Sequence, residues 1–383
     1  MKEQLSAEVR RRAGENMNSR KKVAIFTIQD NNYGNRLQNY AVQECLNSLG
    51  FEAISLKSGP GSTQSQFYDK PFVIHGHRLP VHNRELRCSL TRIKQGIKQA
   101  LKREYRPDFD GFIPFIHYGQ DYIGKDGFKI TDQYQAFIAG SDQIWNPDFE
   151  TTTENSFLPF EHPNKIALSA SFGVNSLPYD QKIADCLNDF KALSVREVAG
   201  ADIISKLTGR KAEVLIDPTM LLNKDQWREI AKKPMNIEKE DGYILTYFLS
   251  PKCREARDQL ENLRGNRRVY ELLNPKDPVA GRAGPCEFVW LFDHADLILT
   301  DSFHACVFSF LFNKPFIVYD RNWENSLMNS RLETFTKMFG LERKYASSGL
   351  DNNAWEHNYQ KGYARLDQER AKAIDYLQYA LNQ

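Results

Sequence analysis

The segment KKVAIFTIQDNNYGNRLQNYAVQECLNSLGFEAISL, residues 21–56, constrains the fold more than any other stretch. Val23–Ile28 is an apolar run, rich in branched residues, that reads as a strand. Leu37, Tyr40, Ala41, Leu46 and Leu49 then recur on one helical face. Gly50 suits the helix C-terminus, and Phe51–Leu56 reads as the next strand. Strand, helix and strand in this order form a βαβ unit. Such a crossover implies a parallel sheet.

The alternation continues. Ala136–Ala139, Ile166–Ser171, Ala192–Val195 and Val214–Ile216 read as further strands, and Asp217-Pro218 closes the series. The polar stretch 223–242 reads as a linker. A second series follows, with strands at Tyr243–Leu249, Arg268–Leu272, Leu297–Thr300 and Phe316–Tyr319. Helices are expected at 251–264, 285–294 and 303–312. A chain of 383 residues is longer than one hydrophobic core normally serves. The expected fold is therefore α/β, with two Rossmann-like domains facing a cleft. Residues 1–22 read as a mobile N-terminal arm, 23–230 as the first domain, 231–354 as the second and 355–383 as a helical tail.

Composition narrows the function classes. A net charge of +2 gives no argument for nucleic acid as a partner. Six cysteines stand singly, with no Cys-x-x-Cys pair or Cys/His ligand spacing. That pattern argues against structural zinc and disulfide frameworks and fits a reducing cytoplasm. No apolar run approaches the ~20 residues that span a bilayer, and the first 22 residues carry no apolar leader core. Residues 84–106 carry eight Lys/Arg against two Glu, with Leu86, Leu90, Ile93, Ile97 and Leu101 in an i, i+3/i+4 stripe. A basic amphipathic helix of this kind either lies on an anionic membrane or docks on its own domain.

Four strand-to-helix turns carry the candidate chemistry, because open α/β sheets bind ligands beyond the carboxyl ends of their strands. In QDNNYGNR, 29–36, Gly34 permits close backbone approach and Asn31, Asn32 and Asn35 offer donors and acceptors. The helix N-terminus that follows can hold an anion, or the loop is a plain Asn-capped turn. In FIAGSDQIWNP, 137–147, Asp142 and Gln143 can bind hydroxyls beside a Trp145 wall. The competing reading has Ser141 and Asp142 as caps and Trp145 in the core. In SVREVAG, Arg196 and Glu197 sit between a strand and a helix marked by Val198, Ala201, Ile204 and Leu207. In LILTDSFHACVFSFLFNKPFIVY, 297–319, His304 opens a nearly all-apolar helix. There it serves as anion donor or general acid, or merely caps and packs. Cys306 reads as core.

Taken in order, NNYGNRLQNYAV, FIAGSDQIWNP, SASFG (169–173), LSVRE, VLIDPTML and TDSFHACVFSFLFNKPFIVY resemble the polysaccharide pyruvyl transferase family. The resemblance covers most of the chain. It implies a GT-B-like architecture and transfer of pyruvate from phosphoenolpyruvate to sugar hydroxyls, as a cyclic ketal, in bacterial surface polysaccharides. It implies no metal, no cofactor beyond phosphoenolpyruvate as co-substrate, and a saccharide acceptor, which many family members take in lipid-linked form. Together with the cysteine usage, the charge balance and the 84–106 segment, the expected setting is cytoplasmic, with peripheral contact at the inner membrane face through 84–106 and no nucleic acid. The family's Arg-Leu-His triplet is matched by His304, with Phe303 for the Leu and Ser302 in place of the Arg. Arg196 resembles a second family arginine. It would hold the donor's phosphate or carboxylate bidentately, with Glu197 orienting it or acting as a base, and the competing reading is a salt bridge in the neighbourhood of Glu197.

The donor set is therefore Arg196, Ser302, Asn32, Gly34 and Arg36, the acceptor set Asp142, Gln143 and Trp145, and the catalytic pair His304 and Glu197. Arg36, Arg321 and Arg331 are the candidates to replace the arginine missing at Ser302. Two rival functions share the scaffold, since fold does not set function. One is a GT-B glycosyltransferase using a nucleotide sugar. The other is a non-catalytic saccharide-binding or assembly protein, which the Ser302 departure keeps open.

Overall fold

The computed structural model describes residues 20–58, 72–74, 77–79, 107–123, 131–149, 151–178, 180–237, 242–320, 330–341, 344, 346 and 354–382. The basic segment 84–106, Arg321 and all but the last residues of the N-terminal arm lie outside them. Strand β1 (Lys22–Phe26) leads into α1 (Tyr33–Ser48) and β2 (Glu52–Ser58). A small antiparallel ribbon, β3 (Phe72–Ile74) and β4 (His77–Leu79), comes next, then β5 (Tyr118–Ile123), β6 (Ala136–Ala139) and β7 (Lys165–Ala170). Helix α2 (Gln181–Asn188), β8 (Ala192–Val195), α3 (Val198–Thr208) and β9 (Glu213–Val214) complete the first lobe. The sheet order is β5-β2-β1-β6-β7-β8-β9, with every pairing parallel.

Helix α4 (Lys224–Ile230) leads to the second lobe. That lobe alternates β10 (Tyr243–Tyr247), α5 (Arg254–Arg264), β11 (Arg268–Leu272), α6 (Pro285–His294), β12 (Leu297–Thr300), α7 (Phe303–Leu311) and β13 (Phe316–Val318). Its parallel sheet runs β11-β10-β12-β13. Helices α8 (Ser330–Phe339) and α9 (Gln360–Asn382) follow. Each sheet reverses its strand order once, between β1 and β6 in the first and between β10 and β12 in the second. These reversals are where neighbouring loops part and leave room for a ligand.

The lobes share one hydrophobic core. Tyr33, at the start of α1, stacks on Phe288 of α6 at 4.7 Å between ring centroids, and its hydroxyl donates to the Ala283 carbonyl at 2.7 Å. The expected linker is partly helical. Asn223 and Gln226 form a capping box on α4, and Trp227 is fully buried edge-on to Phe308. One large apolar side chain outweighs the polar composition around it. Helix α9 ties the lobes together. The Tyr363 hydroxyl donates to the Phe310 carbonyl of the second lobe, and the Tyr376 hydroxyl to the Ala167 carbonyl of the first. Near its end the Leu381 carbonyl accepts from Gln135. Among the described residues no helix is long and apolar enough to cross a membrane.

Candidate active site

The loops beyond the carboxyl ends of the strands bring their charged residues into one buried cluster between the lobes. Arg196 leaves the end of β8 at its centre. One guanidinium nitrogen donates to Asp142 Oδ1 at 2.7 Å, the other to Asp217 Oδ2 at 2.6 Å. The guanidinium lies over the Phe303 ring, 4.9 Å from its centroid. Asp142 follows β6 with φ of 59°, a left-handed backbone that aspartate tolerates. Asp217 follows β9, where it caps a short turn through Thr219 and also accepts from the Ser141 hydroxyl. His304 enters from the second lobe, on the first turn of α7, with Nε2 3.7 Å from Asp217 Oδ2. Arg196 and His304 thus meet at one carboxylate, although their strands belong to different sheets.

The electrostatics follow from burial and pairing. Burial alone would raise the Asp217 carboxyl, but the His304 imidazole and the Arg196 guanidinium outweigh it and hold Asp217 well below the usual carboxylate range. Asp142 is lowered in the same way, against burial, by Arg196, His304 and Arg331. Arg196 itself is raised, because Asp142, Asp217 and Glu197 overcome its desolvation. Glu197 goes the other way. Burial pushes its carboxyl up, only partly countered by Arg196 and Arg331. Its Oε1 accepts from the Ser171 hydroxyl at 2.9 Å and the Phe172 amide at 3.0 Å, anchoring the loop after β7. Its Oε2 is buried with no hydrogen-bond partner among the described residues.

The first loop reaches the cluster through Gly34. A Cβ there would lie 2.1 Å from His304 Nδ1, so only glycine lets the α1 backbone rest on the imidazole. Asn32 is the N-cap of α1 and accepts from the Gly34 amide at 2.9 Å. Arg36 donates to the Tyr118 hydroxyl and to Asn31. Ser302 occupies the N-cap position of α7 without a side-chain capping bond, and its amide donates to Thr300. Arg331, on the first turn of α8, is 4% exposed and close enough to act on both Asp142 and Glu197.

Several assignments made from sequence need correction. Trp145 is no wall for a ligand. It is fully buried, stacked on Phe157 and flanked by Phe172 and Phe190, and its indole donates to the Ser156 carbonyl. Gln143 is buried, and its side-chain carbonyl accepts from Asn146 at 2.6 Å under Gly173. Asp142 is committed to Arg196. The two terminal nitrogens of Arg196 are committed in turn to carboxylates, so it does not present a free fork to a donor phosphate. Asp217 is the residue that sequence reasoning passed over. Its signal was the Asp-Pro step in VLIDPTML, which was read only as the end of a series. Cys306 is core, fully buried. No cluster of metal-ligating side chains occurs among the described residues.

Comparison with known proteins gives one family. A model of the polysaccharide pyruvyl transferase family matches residues 32–322, a span that includes every member of the cluster except Arg331. No curated protein matches. Solved structures similar to this chain include MnaA of S. aureus with UDP (12% identity, 94% of this chain and 97% of that one, TM-score 0.42). Another is MurG of Acinetobacter baumannii (10%, 94% and 99%, TM-score 0.40). A third is UDP-GlcNAc 2-epimerase of Neisseria meningitidis bound to UDP-GlcNAc (12%, 94% and 100%, TM-score 0.40).

Proposed function

Because the chain belongs to the polysaccharide pyruvyl transferase family, we propose that its buried cluster moves pyruvate from phosphoenolpyruvate onto two hydroxyls of a saccharide. The product is a cyclic ketal. The observation that carries this reading is the placement of His304. A ring from the second lobe is seated on Gly34 of the first and lies 3.7 Å from the buried anion Asp217. The seat on Gly34 fixes where the ring lies, with Asp217 as its nearby anion, and His304 is then the acid that protonates the donor's methylene carbon.

The proton converts the methylene to a methyl group and leaves positive charge at C2. One sugar oxygen bonds to C2 and the C2–O bond to phosphate breaks. The second sugar oxygen closes the ring, and one hydroxyl proton leaves with the phosphate while the other restores the acid. Fixed cations around the departing phosphate favour this path most, since charge builds there in the transition state. Arg331 and Arg36 are assigned that task in place of the arginine missing at Ser302. Arg196 holds Asp142 and Asp217 in register instead of touching the donor.

The test is phosphate release. Phosphoenolpyruvate and a panel of saccharides should yield inorganic phosphate together with a pyruvylated sugar. Release of a nucleoside diphosphate from a nucleotide sugar would instead select glycosyl transfer. Donor binding without turnover on any saccharide would select a non-catalytic protein.

The same reading places the reaction in the cytoplasm, against lipid-linked acceptors at the inner membrane face. The eight Lys/Arg and the apolar stripe of 84–106 support this. Vesicles containing anionic lipid should sediment the protein at low salt. Glutamate at Lys94, Lys98 and Lys102 should abolish that sedimentation. Undiminished sedimentation of the triple variant would exclude this segment as the anchor.

A further inference from the structure

Helices α3, α8 and α9 enclose a groove of about 770 Å³ on the flank of the cluster. That volume falls within the range of about 300–1,000 Å³ typical of small-molecule sites. Two residues of its wall are chain neighbours of cluster residues. Val198, which follows Glu197, is 54% exposed in its wall, and Ser330 precedes Arg331. Three carboxylates, Asp202, Glu333 and Glu369, face three cations, Lys337, Arg365 and Lys372, so the wall has no net charge.

Two of its groups are buried and incompletely satisfied. Glu369 is 3% exposed, and its Oε1 takes the Arg365 guanidinium while Oε2 has no hydrogen-bond partner among the described residues. The Ser330 hydroxyl is likewise buried, with no hydrogen-bond partner among the described residues. A buried polar atom left unpaired is costly unless a ligand or water pairs it.

We infer that this groove is the acceptor subsite and that it takes an uncharged, hydroxyl-rich saccharide of at least two rings. Sugar hydroxyls donate to Glu369 Oε2 and exchange hydrogen bonds with Ser330. The unpaired carboxylate oxygen and the balanced wall select against an anionic sugar. The inference rests on the pyruvyl-transfer reading above and adds where the acceptor lies and what its charge is.

Calorimetry on the full chain separates the two claims. Phosphoenolpyruvate is titrated first, and a failure to bind it would overturn the transfer reading. The donor-loaded protein is then titrated with lactose, cellobiose, chitobiose and a glucuronate-ended disaccharide. At least one uncharged disaccharide is expected to bind. Its affinity should fall about tenfold in Glu369→Gln, the scale of one hydrogen bond to a charged group. Binding should be abolished in Asp202→Trp, an exposed position whose new ring fills the groove. Phosphoenolpyruvate affinity should stay unchanged in both. Undiminished saccharide binding by Asp202→Trp would overturn the location. Preference for the glucuronate disaccharide, or no binding of any uncharged one, would overturn the acceptor's class.

Discussion

Alanine in place of His304 should slow phosphate release about 100-fold or more, the usual scale for a general acid. The imidazole is 7% exposed, rests on Gly34 and faces Asp217, so its loss removes the acid and also opens a small void. Glutamine at the same position keeps most of the volume and cannot deliver a proton in the same way. Its turnover should fall to a similar level with less loss of stability. Gly34→Ala supplies a companion measurement. The added methyl must displace the ring, and displacements near 1 Å can cost about 100-fold in rate. Near-normal turnover in both His304 variants would remove the residue from the chemistry and leave it a packing group between the lobes.

Replacing Arg196 with methionine should destabilise the protein by about 3–5 kcal/mol, the range for a buried ion pair that loses one partner. Asp142 and Asp217 would both remain buried with their shared cation gone. Lysine would rescue only part of the loss, because it cannot bridge two carboxylates with a planar fork. The pH dependence has a definite sign. In the wild type both carboxyls are held below their unfolded values. Their contribution is therefore complete above the ordinary aspartate value, near pH ~3.9, and is lost as the pH falls through their folded values. In the methionine variant Asp142 loses the largest of the influences that lower it and burial carries its carboxyl up, while His304 still holds Asp217 down, so the variant's stability improves relative to wild type as the medium is acidified. Urea unfolding at neutral and mildly acid pH would show the gap between the two proteins narrowing. Equal stability at neutral pH would mean that the pairs contribute nothing to folding.

Much of the fold was legible because β1, β6, β7, β8, β10, β12 and β13 are short, largely apolar runs ended by polar turns, whereas β5 (YGQDYI) is not and had no such signal. The crossover geometry then leaves little choice but parallel sheets. Arg196 and His304 were legible for the same reason, since both sit where a strand gives way to a helix. Their mutual carboxylate was not. Asp217 acquires its meaning only when β8 and β9 lie side by side and α7 arrives from the other sheet. Trp145 illustrates a different limit. An indole beside Asp142 and Gln143 reads alike as a sugar platform or as core. Phe157, Phe172 and Phe190, which decide the matter, lie elsewhere in the chain. The groove behind Glu197 had no sequence signal, because helices distant in the sequence build it.

Helix α9 bears on how the molecule comes to exist in time. Its last turns bond to Gln135 and Ala167, so the first lobe's sheet waits on residues more than 200 positions further along the chain. Contacts so distant in sequence form slowly, because a long loop must close before they yield any stabilisation. During synthesis the first lobe emerges with part of its surface uncovered, and the second lobe folds before the first is sealed. Arg196 can pair with Asp142 and Asp217 inside the first lobe alone, but His304 joins them only when the second lobe docks. A partly made chain that has the first lobe alone holds the ion pairs but lacks His304, and so lacks the proposed acid.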